Sequence, residues 1–561
     1  MDAAVSALRE SLQLPVPLCR LLVLRGLGAH DAARSFLKPR LDRLHDAAQL
    51  AGLADAVDRI LLATRKGETI LVHGDYDVDG ICGTVLLTRT LRSLGARVEP
   101  FVPHRMSDGY DLGAAGIRAA AEARAGLIVT VDCGTVAHAA VAQAKAAGID
   151  VVVTDHHTPG STLPDAVTVV NPNRHDCPYP FKGLAGVGVA FKLCEALVAA
   201  QKGDADLLRW QLDLVAVATI ADLAPLSGEN RILTAFGLRV LAQTRNPGLA
   251  ALLRTTRIDV TRPITAGQVS HVLAPRINAV GRMGAAIRGM RLLLADDEST
   301  AVPLARTTED ENRTRRAVDR ETLREALDML EADYDPVRDR AVVLASRKWH
   351  PGVIGIVASR VVERIHRPVV LIAIDESSGR ARGSGRSIPG FHLYEAIRSC
   401  AHLLERYGGH RQAAGLEILA GNIDAFRAAF DAHARSVITE DQLCTVVGLD
   451  VEISLDEANN GLAAMLRHFG PFGIGNPAPT FVARGVSLAA PPRTVGEGHA
   501  RLLLTQGRTR LPAIGFGMAE RLGALVPGVD TLDIAFHLQE HHWRGRSGLQ
   551  ARLVDTRPAT T

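Results

Sequence analysis

The amino-acid sequence predicts an α/β protein with a second α/β unit and a β-rich module after it. Between residues 66 and 240, short apolar runs alternate with helical patterns, as expected for a parallel sheet. The alternation recurs after residue 336, where the strand-like runs AVVLAS and PVVLIAI flank a helical stretch. From residue 439 onward, short alternating runs are broken by glycine and proline, which indicates a small barrel or sandwich.

These patterns divide the 561 residues into five predicted segments, in line with the about three or four domains expected at this length. Asp335 precedes Pro336, which disfavours helix and marks the start of the second α/β unit. The arginine-rich stretch before it is expected to form a long helix between two lobes. The predicted segments are a helical lead-in (1–65), the parallel-sheet unit (66–240), a helical region with the connecting helix (241–335), the second α/β unit (336–438) and the β module (439–561).

Composition places the chain among ordinary folded proteins. Hydrophobic residues make up 47% and charged residues 22%, which excludes a mainly disordered chain. The net charge of +3 neither demands nor excludes nucleic acid as a partner. The seven cysteines form no CxxC pair, so neither a zinc ribbon nor a disulfide framework is indicated. No signal peptide or spanning segment is recognisable, and we expect a cytoplasmic protein without membrane contact.

The string HGDYDVDG at residues 73–80 is the most informative motif. It follows the apolar run Ile70–Val72 and supplies His73, Asp75, Asp77 and Asp79. Ligands in open α/β sheets bind just beyond the carboxyl ends of the strands. The alternative is an Asp-rich turn with solvated side chains.

Acidic and imidazole side chains follow further apolar runs downstream. LIVTV ends at Asp132, VVVT ends at the run Asp155–His157, and Asp222 lies near the end of an apolar helical stretch, where an unpaired carboxylate would be costly to bury. Carboxylates with a few imidazoles and no thiolates suit Mn²⁺ or Mg²⁺ better than structural zinc. The sequence therefore predicts a divalent-metal site.

These motifs carry a resemblance. HGDYDVDG, VDCG, TDHH and Asp222 resemble, in order and spacing, the motifs of the DHH phosphoesterase superfamily. Within it the chain is most similar to the RecJ family of single-strand-specific 5′ to 3′ exonucleases, and the likeness spans nearly the whole chain. The strings that carry it are PHRMSDGYDL, LAPRINAVGRMG, WHPGVIGIVASR, RGSGRSIPGFHL, YGGHRQAAG and FGPFGIGNPAPTF. The resemblance implies a DHH catalytic domain, a helical connector, a DHHA1 substrate-binding domain and an OB-fold.

The resemblance also implies two-metal hydrolysis of single-stranded DNA to mononucleotides in repair and recombination, with two Mn²⁺ or Mg²⁺ ions. One ion is expected on His73, Asp77 and Asp132, and the other on Asp79, Asp132, His156 and Asp222. Asp75 would orient ligands, and Asp155 would fix the tautomer of His156 or cap the turn. His157 would act as an acid or transition-state stabiliser, unless it is a structural histidine.

Nucleic-acid contacts are expected mainly from the second lobe. Arg105, Ser384 and Arg386 would form a pocket for the 5′-phosphate, although Arg386 could instead only tie down its glycine-rich loop. The full set of expected contacts is Arg105, Arg276, Asn278, Arg282, His350, Ser384, Arg386, Gly408, Gly409 and His410. In the β module, Trp543 with Arg544 could stack on bases, whereas a core position is favoured for Phe516.

Two rival functions remain open. Another DHH enzyme, such as a family II pyrophosphatase or a phosphodiesterase for short oligonucleotides or dinucleotides, would share the metal motifs but not the β module. A non-enzymatic relative, like the eukaryotic replication factor with this fold, would lack metal ligands that are all present here. The expected partners are single-stranded DNA, a single-stranded-DNA-binding protein and a helicase, and the resemblance requires no oligomer.

Overall fold

The computed structural model describes residues 2–105, 107–282, 286–543 and 546–559. Within these ranges the side chains at 280–282, 542–543 and 546–547 are not described. The predictions for the side chains of Arg282 and Trp543, and for Arg544, therefore lie outside what the structure describes. In the described part of the chain, no helix combines the length and the apolar character needed to cross a bilayer.

The first lobe is built on five parallel strands in the order β2-β1-β3-β4-β5. The strands are β1 Thr69–Gly74, β2 Arg97–Phe101, β3 Ala125–Val131, β4 Asp150–Thr154 and β5 Thr168–Val170. Three N-terminal helices precede this lobe, α1 Asp2–Leu12, α2 Val16–Leu24 and α3 His30–Leu37. The helices interleaved with the strands are α4 Leu53–Lys66, α5 Val78–Ser93, α6 Ala114–Glu122, α7 His138–Ala146 and α8 Gly186–Ala200.

The strand order brings the acidic strand ends together. β1, β3 and β4 are neighbours, with Gly74 paired to Val131 and Val131 paired to Thr154. The backbone ladder continues one residue further, since the amide of Asp75 donates to Val131 O (3.3 Å) and that of Asp132 to Thr154 O (3.0 Å). The residues that follow these three strands therefore share one edge of the sheet.

A helical region completes this lobe. Helix α10 is buried along nearly its whole length, from Leu212 to Ile220, is apolar apart from Asp213 and Thr219, and ends at Asp222. The helices of the region are α9 Ala205–Trp210, α10 Leu212–Ala221, α11 Gly228–Leu241, α12 Pro247–Thr256, α13 Ala266–Gln268, α14 Ala274–Arg282 and α15 Ala286–Leu294. A π-helical turn, Val269–Leu273, joins α13 to α14.

The two lobes are joined by α16 Glu298–Asp333, a helix of 36 residues. The Asp297 carboxylate caps its start by accepting from the Thr300 amide at 2.8 Å. Buried residues recur every third or fourth position from Ala301 to Leu330, which gives the helix one continuous packed side. The connecting helix predicted from the sequence is therefore confirmed.

The second lobe is a mixed five-stranded sheet in the order β6-β7-β8-β10-β9. Only β6 and β7 are parallel, and the other pairs are antiparallel. The strands are β6 Val342–Ser346, β7 Val369–Asp375, β8 Arg380–Arg386, β9 Leu404–Gly409 and β10 Ala413–Leu419, and the helices are α17 Ile354–Ile365, α18 Leu393–Ser399 and α19 Ile423–Val437. The predicted second α/β unit is confirmed.

The last unit is a closed five-stranded barrel in the order β12-β13-β14-β16-β15, which a β12–β15 pairing closes. This strand order is that of an OB-fold, as expected. Phe516 follows β14 and is 50% exposed, so its predicted core position is wrong. The elements are β11 Val451–Glu452, α20 Asn460–Leu466, β12 Phe481–Val495, β13 His499–Gln506, β14 Thr509–Gly515, α21 Ala519–Leu522, β15 Thr531–Trp543 and β16 Arg546–Pro558.

The N-terminal helices pack on the barrel rather than standing alone. Leu8 of α1 and Leu18 of α2 belong to the same apolar cluster as Phe481 and Phe536 of the barrel strands. All four side chains are almost fully buried. The two ends of the chain therefore share one hydrophobic core.

Candidate metal centre and adjacent anion pocket

The turn between β1 and α5 presents the first carboxylates. Asp77 caps α5, since its Oδ1 accepts from the amides of Asp79 (2.9 Å) and Gly80 (3.1 Å). Asp79 lies in the first turn and reaches across to α8, where its carboxylate accepts from the amides of Gly186 (2.7 Å) and Val187 (2.9 Å). These bonds orient both carboxylates and place Asp79 between two helix N-termini, which favour negative charge.

Asp132 lies at the centre of the site. It follows β3 directly, is 2% exposed, and has a φ of 64°, a left-handed conformation that few non-glycine residues adopt. Such strained backbone is concentrated at functional sites. The conformation aims the carboxylate at His156, whose Nε2 lies 3.1 Å from Asp132 Oδ1.

His156 is oriented from the side away from the carboxylates. Its Nδ1 lies 3.1 Å from the carbonyl oxygen of Leu184, so Nδ1–H donates there and Nε2 is the ring atom that faces the site. Nε2 lies 4.0 Å from a carboxylate oxygen of Asp79 and 4.0 Å from one of Asp222. A histidine held by a backbone carbonyl in this way is typical of a metal ligand.

Three groups of ligand atoms, each within 4.8 Å of one another, occur among the described residues. Asp132 belongs to two of these groups and His156 to two, so they overlap in one cluster. The groups are Asp75, Asp77 and Asp132; Asp79, His156 and Asp222; and Asp132, His156 and His157.

His73 stands apart from these three groups. Its Nδ1 lies 3.6 Å from Cys133 Sγ, and its buried Nε2 has no hydrogen-bond partner among the described residues. Burial lowers its pKa to about 4, so the ring is neutral. Its role as a ligand therefore stays a prediction, whereas Asp75, expected only to orient ligands, lies within reach of Asp77 and Asp132.

The donor set fits divalent cations. Three further buried atoms, which belong to the cluster, have no hydrogen-bond partner in the described structure: Asp75 Oδ1, Asp132 Oδ1 and His156 Nε2. Burial first, and then repulsion from neighbouring carboxylates, raises the pKa of Asp79 to about 7 and that of Asp222 to about 8. Such a concentration of buried carboxylate is costly without a cation, and the oxygen-rich set suits Mn²⁺ or Mg²⁺.

His157 makes a dyad with Asp155. Its Nδ1 lies 2.7 Å from Asp155 Oδ1, and the same carboxylate accepts from the amides of His156 (2.7 Å) and Thr135 (2.9 Å). Burial lowers the pKa of His157, but the hydrogen bond to Asp155 and the negative charges of Asp155, Asp222 and Asp75 together outweigh burial and raise that pKa to about 9. Asp155 caps the turn, as one alternative held, but the ring that it orients is His157 and not that of His156.

A candidate anion pocket lies beside this centre. Arg386 of β8 donates to Ser384 Oγ (3.3 Å) and Gly385 O (2.8 Å), and no carboxylate in the described residues lies within ion-pair distance of it. Burial, and then the positive charge of Arg105, lowers its pKa. The first turn of α17 packs against these side chains, since a Cβ on Gly355 would lie 2.8 Å from Ser384 Oγ and 3.1 Å from Arg386 Nη2. Arg105 of the first lobe is therefore near enough for its charge to act on Arg386 of the second lobe.

Aromatic rings join the pocket to the metal centre. The guanidinium of Arg105 lies 5.0 Å from the ring centre of Tyr76, and Tyr76 contacts Tyr110 at 6.4 Å. Tyr110 in turn lies 5.9 Å from the His157 ring. A chain of ring contacts therefore runs from Arg105 to His157.

The surroundings of the other predicted nucleic-acid contacts do not indicate a phosphate site. Arg276 is occupied by an ion pair with Glu309 (2.5 Å) and a bond to Val272 O (2.6 Å), while Asn278 is partly exposed on the same helix. His350 Nδ1 accepts from the Gly352 amide at 3.0 Å, in the manner of a cap. Gly408 and Gly409 lie exposed on edge strand β9, in register through β10 with Ser384 and Gly385, and His410 follows them.

Sequence reasoning missed the residues that hold the histidine loop. Asn171 Nδ2 donates to His157 O (2.9 Å), and Asn173 Nδ2 donates to His156 O (2.6 Å). Both lie in the string NPN directly after β5. The strand-end rule that found the acidic residues would have found these amides had it been applied to the fifth strand.

Family models match each of the three units. The model of the DHH family, N-terminal domain, matches residues 69–219, and the DHHA1 domain model matches 339–436. The RecJ OB domain model matches residues 449–555, which include the whole closed barrel except its last strand residues. The predicted order of domain types is therefore confirmed.

Full-length relatives decide the family. The chain is 39% identical to the single-stranded-DNA-specific exonuclease RecJ of Dickeya dadantii, over 96% of this chain and 95% of the relative. The chain belongs to the RecJ family. It is also 35% identical to RecJ of Bacillus subtilis, over 98% of this chain and 69% of that family member. The crystal structure of RecJ from Thermus thermophilus in complex with Mn²⁺ matches it with a TM-score of 0.85 and 33% identity, over 100% of this chain and 78% of the other.

Proposed function

We propose that this chain is a phosphodiester hydrolase that degrades single-stranded DNA from the 5′ end to mononucleotides, with Mn²⁺ or Mg²⁺, in DNA repair and recombination. The observation that carries the proposal is the cluster of buried ligand groups that meet at Asp132, beside Arg386, whose guanidinium has no carboxylate partner among the described residues. The relatives named above support the substrate, and RecJ of Thermus thermophilus has been crystallised with each of the two ions.

The cluster provides two ion positions in this proposal, with Asp132 shared between them. Two bound ions would supply an activated water and neutralise charge on the attacking and leaving oxygens. The family resemblance adds His73 to the first position. The side chains are Asp75 and Asp77 on one side of Asp132, and Asp79, His156 and Asp222 on the other.

His157 has a separate task. Asp155 holds its ring at 2.7 Å, so that the imidazole faces the same cluster, with Nδ1 3.9 Å from Asp132 Oδ1. The raised pKa keeps the ring protonated near neutral pH. The imidazole can therefore donate a hydrogen bond or a proton to a phosphate oxygen.

The 5′ polarity rests on the anion pocket. A terminal phosphate carries more negative charge than an internal diester, so paired guanidinium groups hold a strand end in preference to its interior. Arg386 and Arg105 are close enough for their charges to oppose each other, which a phosphate between them would relieve. A strand anchored there by its 5′ end would run past Tyr76 and Tyr110 towards the metal centre.

The proposal is tested with purified protein, Mn²⁺, and four substrates labelled at either end: single-stranded DNA, duplex DNA, RNA and a dinucleotide. We expect labelled mononucleotide to appear at once from 5′-labelled single strands, and a 3′ label to persist on shortening strands. Chelator should stop the reaction and added Mn²⁺ should restore it. Faster hydrolysis of the dinucleotide than of long DNA would favour the alternative, a DHH phosphodiesterase for short oligonucleotides, and digestion from the 3′ end would contradict the polarity.

The cellular setting follows from the proposed reaction. A nuclease for single strands needs a source of unwound DNA, so a helicase and a single-stranded-DNA-binding protein are the partners we propose, in the cytoplasm. Copurification or a binding titration with the organism's own binding protein tests this, and the absence of any saturable interaction would count against it.

A further inference from the structure

The segment 469–477, FGPFGIGNP, is called the strap here because it crosses from the barrel side onto the first lobe. It connects the helical turn after α20 to the approach to β12. On the first lobe, the strap contacts the loop 222–226, which begins with Asp222 of the metal centre. A barrel-domain segment thus contacts the loop of a ligand that lies on another domain.

The contact between strap and loop is close and includes backbone. The amide of Leu226 donates to Ile474 O at 2.7 Å. A Cβ on Gly475 would lie 3.0 Å from Pro225 Cβ, and one on Gly473 would lie 2.8 Å from Leu226 Cδ1. A side chain at Gly475 would press on Pro225, and Gly475 also has a φ of 72° that disfavours other residues.

The strap is held in shape from both sides. Asn476, which is 2% exposed, donates from Nδ2 to Phe469 O and Pro471 O, both at 2.8 Å. Arg231 of α11 donates to Phe469 O at 2.9 Å, and Arg25, which follows α2, donates to Asn476 Oδ1 at 2.5 Å. Arg231 also donates to Phe36 O and His468 O, so this buried guanidinium ties the start of the strap to the end of α3.

The loop beneath the strap is tied to two metal-centre side chains. Asp222 begins it, and Asn230 Nδ2 donates both to Pro225 O (3.1 Å) and to Gly183 O (2.5 Å). Gly183 precedes Leu184, whose carbonyl orients His156. Displacement of the loop would therefore move Asp222 directly and His156 through Asn230.

The loop also needs an outside restraint. Leu223, directly after Asp222, has a φ of 60° and is 60% exposed. A left-handed leucine without buried contacts costs free energy that the local sequence does not recover. The strap supplies the contacts on the other end of this short loop.

We propose that the strap positions Asp222, and with it the group Asp79, His156 and Asp222, so that the barrel's docking sets the geometry of one metal position. The inference rests on the proposed function, in which this group holds one of two ions. Gly473, Gly475 and Asn476 are positioning residues, since none of them touches the reacting atoms. The barrel then has a second task besides any contact with DNA.

The test is the substitution Gly475→Ala in the full chain, with Mn²⁺ alone as the probe. We expect two classes of Mn²⁺ site in calorimetry and electron paramagnetic resonance, with the affinity of one class falling about 10-fold or more, as for other residues that support metal ligands. On a single-stranded oligonucleotide, kcat should fall while KM stays within about twofold, because substrate contacts are untouched. Gly507→Ala is the matched control: it has a φ of 58° and nothing within 4 Å of the added Cβ.

Arg25→Ala gives a second, milder disturbance of the strap, because it removes the bonds to Asn476 Oδ1 and Pro477 O at one end of the segment. We expect the same class of Mn²⁺ site to weaken by a smaller factor, with Arg25→Lys recovering part of the loss. A folded Gly475→Ala protein that binds both ions like the wild type, or that only melts earlier, overturns the inference; if that variant does not fold, Arg25→Ala decides in the same way. If the wild-type protein neither binds Mn²⁺ nor cleaves DNA, the proposed function is contradicted, and not only the role of the strap.

Discussion

At the scale of single residues, the burial of a few carboxylates determines the chemistry of the metal centre. Asp75, Asp79 and Asp132 are each at most 4% exposed, and they crowd into a space where carboxylates repel one another. The strand-end rule predicted their convergence because parallel strands end at one edge. It could not predict that Asp75 joins the cluster while His73 stands apart, since the His73 ring is enclosed by Cys133 and Gly116, which are distant in sequence.

Arg386→Ala is predicted to narrow the preference for 5′-phosphorylated over 5′-hydroxyl single strands. The guanidinium has no carboxylate partner within the described structure, so its removal should cost phosphate binding rather than an ion pair. The rate on phosphorylated strands should fall by an order of magnitude or more, about 1.4 kcal/mol per tenfold, with Mn²⁺ binding unchanged. Initial rates on both strands measure this.

The control for that variant is Arg382→Ala on the same strand, whose half-exposed side chain pairs with Glu417 at 3.4 Å. It should leave the preference intact. If Arg386→Ala lowers the rate equally on both substrates, Arg386 does not recognise the 5′-phosphate and only fixes the position of its loop.

Asp213 at the start of α10 provides a pH-dependent prediction. Burial raises its pKa to about 6, so its contribution to stability is present below the ordinary value of 3.8 and is lost as the pH rises through 6. Asn cannot ionise, and Asp213→Asn should therefore gain stability relative to the wild type by about 1 kcal/mol between pH 5 and pH 7. Denaturant unfolding at the two pH values measures the difference, and a constant difference would contradict the assignment.

At the scale of elements, local sequence patterns predicted most of the helices and strands. Period-two and apolar runs predicted the strands, and the charged stretch before Pro336 predicted the connecting helix α16. The exposure of Phe516 was not predicted, because an aromatic residue in an alternating run is typical of a core until the barrel's inside and outside are known. Arg552 lies 5.5 Å from the centre of the Phe516 ring, which gives the barrel an aromatic and cationic outer face.

That outer face is predicted to bind single strands. Arg493, Arg501 and Arg552 are exposed and aligned across neighbouring strands through Ile514, and none forms an ion pair among the described residues. Changing all three to Ser should weaken binding of long single strands and lower the salt slope by about 2, at about 0.7 per lost contact. Fluorescence anisotropy across a salt series measures both quantities.

The matched control changes Arg484 and Arg521, which lie on the same barrel but pair with Glu452 and Asp555. These substitutions should leave the slope unchanged. An unaltered slope in the triple variant would show that the strand follows another path. Deleting the barrel is a poorer experiment, because it would expose the apolar side of α1 and α2.

At the scale of the whole molecule, segments that are distant along the chain pack against one another. Residues near the N-terminus share a core with the barrel, and the strap returns from the barrel side to the loop of Asp222. Neither feature was predicted from the sequence, since contacts between segments so distant along the chain leave no trace in local periodicity. The resemblance of the motifs predicted the types of domain, whereas only the structure shows how the domains pack against one another.

The account depends most on Asp132 as the shared ligand of a hydrolytic metal centre. The decisive measurement is the rate at which folded Asp132→Ala protein, with Mn²⁺, releases mononucleotides from 5′-phosphorylated single-stranded DNA. Asp165→Ala, an exposed carboxylate of the same lobe that pairs with Lys145, serves as the control. We predict a rate lower by at least about three orders of magnitude for Asp132→Ala and an unchanged rate for the control. Turnover by Asp132→Ala near the wild-type rate would contradict the assignment of this site.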